Sequence, residues 1–563
     1  MNVKILFAEA MAALLLVFGF RYSEGLATET VSARNDFSYQ QRRIIACSPD
    51  WRSMDTDSLG QTMTVLPGWG TYRWSINTTS DSARLYFNQG INMYYAFHII
   101  EAMASFKKAA QFDDNNPMIY WAQALAYGPN INDMGYAAVP DALAVTAKSV
   151  ALLAKASAKE KLLIKAMHRR YSADSTISRA VLNKAYAEAM KQAYGAYPQD
   201  ADISTLFADA LLVQHPWDYW QHNGKAQPWT GEILEVLEKT LALHPQHPGA
   251  NHYYIHAVEA SPDPGRGLRA ADRLGGMMPS VSHMVHMPSH IYIRTGNYQK
   301  GIGVNEMAEA GFEKYTTLYP GVQDGMFLYK LHNIHMRAAC ALLLADPVYA
   351  LKAATDCQAV IDTSFLSFPQ PLGNIAQYLY MTPTLAHVRF KQWDQLLALP
   401  AMSDVHALAR GLEVWAKGMA FANKGNIPEA KMMLASLKNI ARHADLQVAN
   451  PPFNKGIDQV TIALDILEGT IASKDKQPAD AIRFFEKAVK DEDALIYNEP
   501  RDWLLPARHF LAEELINQHA YSRAEKILKE DLLINPNNAV AIEELKAVKV
   551  SRKDANGKVK MKK

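Results

Sequence analysis

From Ala83 to about residue 545, apolar residues recur at i, i+3, i+4 and i+7 in runs of about ten to fifteen residues separated by short turns. Almost no alternation of period two interrupts them, so the body of the chain is expected to be all-α. Several helix pairs share one template: a small residue at position 8 of a first helix, then Ala, a large apolar residue and Ala at positions 20, 24 and 27. Gly90, Ala102, Phe106 and Ala109 fit it, as do Gly469, Ala481, Phe485 and Ala488. Gly418, Phe421, Ala430 and Leu434 fit less fully, with Gly425 at the turn, and a last unit keeps Leu511, Ala512, Ala524, Leu528 and Pro536. A unit of two amphipathic helices cannot hide its apolar faces alone, so such units must stack on one another.

This template resembles the tetratricopeptide repeat, in which small residues let paired helices approach and large ones fill the seam between them. The resemblance covers most of residues 83–545, with degenerate and unevenly spaced units. It implies an all-α, tetratricopeptide-like helical-hairpin solenoid, a right-handed superhelix whose first helices line a concave groove that takes a protein or peptide partner. The expected organisation is N-terminal repeats over 81–200, histidine-rich central repeats over 201–345, C-terminal repeats over 346–547 and a basic tail over 548–563. Residues 28–80, with "LPGWGTYRWSINTTSD", carry no helical period and read as an irregular extension.

Residues 1–27 place Lys4 before an apolar run from Ala10 to Phe20, which is too short to span a bilayer and of the length of an export signal. Cleavage after Ala27 would put the mature chain in the periplasm or outside the cell. A buried N-terminal helix in a cytoplasmic protein is the alternative. No later segment is apolar enough to cross a membrane. The net charge of +1 supplies no field to attract nucleic acid. The basic tail reads as a solvated terminus. Three cysteines, Cys47, Cys340 and Cys357, make neither a disulfide framework nor a paired zinc motif.

Eleven of the eighteen histidines lie between His215 and His335. His286 follows His252 by 34 residues and His290 follows His256 by 34, the length of one repeat, so the two pairs hold equivalent positions. In the repeat frame His252 and His286 take position 5, and His256 and His290 take position 9. His283 and His332 take position 2 and His335 position 5 of their own units. The resemblance makes positions 2, 5 and 9 the concave face, and a 100° step per residue aligns them in one stripe. Imidazoles at i, i+3 and i+4 can share a metal, and side chains from adjacent helices can converge on it. The expected ligand is therefore a transition metal (Zn, Cu, Ni or Fe) on His252, His256, His283, His286, His290, His332 and His335, with donors enough for two ions or for an open position. Glu259, Tyr253, Tyr292 and Arg294 are candidates to line the same groove. The same residues also suit a metal-free aromatic and polar wall that grips a peptide.

"HYYIHAVEAS" and "HMPSHIYIR" are similar to segments of a group of bacterial tetratricopeptide-repeat proteins without an assigned activity. In that group a Cys-x-x-Cys often precedes the tryptophan of the "YWAQALAYGPNIN" region, where this chain has Asn116 and Ile119. No phosphate loop, nucleophile elbow or His-Glu-x-x-His helix occurs, so a binding protein is expected before an enzyme. A metal-dependent hydrolase or oxidase is the third reading, supported only by the surplus of donors.

Overall fold

Short polar side chains start the helices. Ser80, Asn116, Ser178, Asp200 and Asp346 each accept a first-turn backbone N–H, and Ser157 forms a reciprocal cap with Glu160. Proline sits in the first turn of the helices Pro117–Ala126, Pro248–Val258, Pro347–Ala359 and Pro478–Asp493, where its missing N–H costs no helical bond.

The structure is a computed structural model and describes residues 55–132, 136, 138–318, 323–449 and 454–561. The expected export signal, Cys47 and the start of the extension lie outside the described residues. Helices pair as antiparallel hairpins through the chain: Asp81–Tyr95 with Ile99–Phe112, Pro248–Val258 with Leu268–Met277, Tyr298–Leu318 with Gln323–Leu344, and Gly456–Lys474 with Pro478–Asp493. Among the described residues the only strand-type pairing is an isolated bridge between Trp220 and Ala226. The all-α, tetratricopeptide-like hairpin solenoid is therefore the observed architecture.

The template residues meet as their spacing requires. A Cβ at Gly90 would lie 2.3 Å from Cε1 of Phe106, and one at Gly469 would lie 2.6 Å from Cε1 of Phe485. Both phenylalanines are buried in these seams. Either glycine replaced by a larger residue would push its helix pair apart.

Three elements depart from the expectation. The described part of the extension holds the helix Thr56–Thr62 and buries Met63, Leu66, Trp69 and Trp74 against the repeats. The helix Ala539–Met561 carries the backbone on into the basic tail. The helix expected across the 283–294 stretch lapses at Met287 and runs as Ser282–His286 and Pro288–Arg294.

Both ends of the solenoid return to the central repeats. The N–H of Ser280 donates to the carbonyl of Gly68 at 3.0 Å, and the rings of Tyr72 and His247 lie 4.6 Å apart. From the C-terminal side, Asn537 donates through Nδ2 to the carbonyl of Gly296 at 3.2 Å. The histidine-bearing helices are thus covered from two directions, and the face expected as an open groove is interior. No helix among the described residues is long and apolar enough to cross a membrane.

Candidate metal centre

Six of the seven histidines come together, in two groups. His252, His256 and His283 form one and His286, His290 and His332 the other, with the potential ligand atoms of each group within 4.8 Å of one another. The groups divide the stretch: His283 joins the preceding repeat's pair, while His286 and His290 face His332 of the next. The groups adjoin, with the rings of His256 and His290 at 6.1 Å and those of His283 and His286 at 6.2 Å. His335 belongs to neither group. Its ring lies 6.1 Å from that of Tyr378, and its Nε2 has no hydrogen-bond partner.

Outer partners fix the rings. His252 Nδ1 lies 2.6 Å from the carbonyl oxygen of Tyr95, and His286 Nδ1 lies 2.6 Å from Oδ1 of Asn305. Glu259 spans both groups: Oε1 is 2.8 Å from His256 Nδ1, and Oε2 is 2.5 Å from His290 Nδ1. Glu499 Oε2 is 2.9 Å from the same His290 nitrogen and 3.9 Å from His332 Nε2. Each of these four Nδ1 atoms therefore carries a proton toward an oxygen, which leaves Nε2 as the lone-pair nitrogen.

Those lone-pair atoms face one another. His252 Nε2 and His256 Nε2 are 3.1 Å apart, His286 Nε2 and His290 Nε2 are 2.7 Å apart, and His290 Nε2 and His332 Nε2 are 3.4 Å apart. Imidazoles bound to one ion at about 2.0–2.1 Å have nitrogens about 3.0–3.4 Å from each other, so the 3.1 and 3.4 Å spacings are those of a coordination edge and the 2.7 Å one is shorter. His283 is buried with no hydrogen-bond partner on either ring nitrogen.

Charge follows the same division. Burial holds His252, His283 and His286 well below the usual imidazole range. It takes His256, His332 and His335 down to about 3. At His290 burial also opposes a charge, but the Glu499 and Glu259 carboxylates outweigh it and raise the ring to about 10. The 2.7 Å contact in the second group joins Nε2 of His286 to Nε2 of His290, the ring whose charged form those carboxylates favour. The 3.1 Å contact in the first group joins two neutral rings whose protons are committed elsewhere.

Aromatic side chains wall the first group. Phe97 lies nearly parallel to His256 at 5.8 Å, and Trp217 meets the same ring edge-on at 5.4 Å. Both have left-handed backbones, φ 57° for Phe97 and φ 63° for Trp217, a strained conformation for bulky residues. Beside the second group lies a chamber of about 280 Å³, where His283, His290, His332 and His335 meet Trp217, Leu331, Ile375 and Leu379.

The other groove candidates serve the frame. Arg294 donates to the carbonyls of Glu259 and Ser261 at 2.6 and 3.2 Å and so anchors the segment that carries Glu259. Tyr292 donates to Asp272 at 2.7 Å, while Tyr253 is buried with its ring 5.7 Å from that of Phe97. Asn116 and Ile119, at the positions of the Cys-x-x-Cys, are a helix cap and a core residue. Sequence reasoning missed Glu499, Asn305, Phe97 and Trp217. Glu499 stands in the irregular "IYNEPRDW", which has no period to place it, and nothing in Asn305's surroundings marks it as a partner of His286.

No protein-family profile and no curated protein matches this chain. Solved structures similar to it include yeast Tom70, at 11% identity with 84% of this chain and 90% of that chain covered and a TM-score of 0.28. The human IFIT1 dimer with m7Gppp-AAAA has 12% identity, 84% and 90% coverage and a TM-score of 0.29. Cut9 of the APC/C hetero-tetramer Cut9–Hcn1 has 13% identity, 83% and 76% coverage and a TM-score of 0.26. Superpositions this loose carry no argument. What this chain's own hairpins establish is a tetratricopeptide-like helical-repeat protein with two three-histidine groups enclosed at its centre.

Proposed function

We propose that this helical-repeat protein binds two transition-metal ions, one in each three-histidine group, through imidazole Nε2 atoms. The observation that carries the reading is the pair His252 and His256: two neutral rings with Nδ1 protons held by Tyr95 and Glu259, and lone pairs 3.1 Å apart. Two facing lone pairs in a buried site repel unless a proton or a cation lies between them. The carboxylate behind two of the rings is the outer partner that orients metal-ligating histidine. A peptide laid in an open groove would need these side chains at the surface. All but His332 are buried, with His252 and His286 at 0% exposure.

Metal analysis of protein purified without a histidine tag and reconstituted tests the proposal. About two equivalents are expected. His256→Ala and His290→Ala should each lose about one equivalent, while His335→Ala keeps both. Less than about a tenth of an equivalent of any transition metal in the unaltered chain would sink the idea.

A further inference from the structure

We infer that the chamber beside the second histidine group binds a small uncharged hydroxyl compound, an alcohol or phenol of about one ring, held through its hydroxyl by His335 and Asn374. His335 is the starting point. Its register matches that of His252 and His286, yet it joins neither three-histidine group and lines the chamber instead. It is 6% exposed, and its Nε2 has no hydrogen-bond partner. Asn374, in the helix Leu372–Tyr380, lines the same chamber at 5% exposure. The orientation of its amide is fixed, because Nδ2 donates to the carbonyl of Asp445 at 2.9 Å. That leaves Oδ1 as an acceptor, and no donor meets it. A buried polar atom without a partner costs about 1–3 kcal/mol. A hydroxyl both donates and accepts, so one guest group can serve the amide oxygen and the imidazole together. Neither residue is a donor in the two-ion reading, and the inference does not depend on it.

The wall sets the body of the guest. Leu331, Pro371, Leu372, Ile375 and Leu379 make it apolar, and the ring of Tyr378 stands edge-on to His335 at 6.1 Å. An apolar cavity of about 150 Å³ takes benzene, so a chamber of about 280 Å³ has room for one ring and its substituent. Burial holds His335 down to about 3, and Asn374 carries no charge, so the two waiting partners are neutral. Asp502, in the same wall, already accepts from Asn454 and Asn498 at 2.7 Å each. Glu499 uses Oε2 on His290, while its Oε1 has no partner, which makes an ammonium guest the competing occupant. A route in exists. The chamber shares Trp217, His256, Tyr497 and Asp502 with a cleft of about 750 Å³ whose rim at Gln221, His222 and Asn223 is exposed.

Calorimetric titration of the full chain with phenol, cyclohexanol, benzene, benzylamine and benzoate tests the inference. One saturable site is expected for phenol and cyclohexanol, each bound about tenfold or more tightly than the other three. Phenol ahead of cyclohexanol identifies an aromatic guest, and the reverse order an aliphatic one. His335→Leu should bring phenol to within about threefold of benzene, while His335→Gln, which keeps a polar group, should retain most of the preference. Ile375→Trp, which fills the chamber from a half-buried position, should abolish phenol binding in a protein of native helical content. No saturable binding of either hydroxyl compound below about 10 mM overturns the inference. So does phenol binding that survives Ile375→Trp unchanged, because the guest then sits elsewhere. Equal affinity for phenol and benzene, or an undiminished preference in His335→Leu, overturns the hydroxyl contact. Tighter binding of benzylamine or benzoate overturns the uncharged class. A chain that holds no metal and still binds phenol supports this inference and overturns only the two-ion reading.

Discussion

Glu259 touches one histidine of each group, so a change in this one side chain reaches both groups. Glu259→Gln leaves one oxygen where two Nδ1 protons need acceptors, and metal affinity should fall about 10–100-fold at both sites in chelator competition. Asn305→Ala removes the acceptor behind His286 alone and should weaken the second ion only. The cysteines give a separate check. Burial pushes the thiols of Cys340 and Cys357 up to about 12, well above their ordinary value. In a Cys47→Ser protein at pH 8, a disulfide reagent should find no reactive thiol in the folded chain and two in guanidinium. Glu259 was legible in the sequence because it stands one turn from His256. Glu499 was not, because its contact with His290 joins positions 209 residues apart and no local pattern encodes it.

Helix pairing rests on close approach at a few glycines, and the substitutions that test it have opposite signs. Gly90→Ala places a methyl against Phe106 and should cost about 1–3 kcal/mol of unfolding free energy by denaturant titration. Gly303→Ala, inside the helix Tyr298–Leu318, meets nothing within 4 Å and should stabilise the chain by about 0.5–1 kcal/mol. At Met287 and Pro288 the regular helix lapses for one residue, yet Met287 keeps helical angles, φ −47° and ψ −36°, so His283, His286 and His290 stay at helical spacing. His283 nevertheless groups with the pair on the preceding repeat, while His286 and His290 group with His332 of the next. The proline was visible in the sequence, but which neighbouring helix each histidine meets depends on the packing of the repeats.

Closure of the solenoid makes the centre interior and gathers side chains from distant repeats around it, so the proposed metal binding should be linked to the stability of those repeats. Glu499 comes from the C-terminal units, His252 and His256 from the middle, and the Phe97 wall from the N-terminal hairpin. Removal of metal by a chelator should therefore lower global stability. Free metal at 100 times its dissociation constant contributes about 2.7 kcal/mol per independent site, read as a shift in the denaturation midpoint. Hydrogen exchange should show added protection on metal loading in both 248–258 and 494–506, segments with no neighbouring sequence. Protection confined to 248–258 would mean that the Glu499 segment is not held by the centre.

The sequence by itself determined the helical period, the hairpin template with its glycine and phenylalanine pairs, and the register that sets His286 and His290 one repeat after His252 and His256. These are local, because they depend on residues within one or two helices of each other. Tertiary structure alone decided that the histidines divide into two groups, that His335 stands outside them, that Glu499 reaches His290, and that the expected groove is largely an interior site. Each of these depends on how far the solenoid turns before its ends meet the middle. That curvature is the sum of many small packing angles between successive helices, and no single residue carries it.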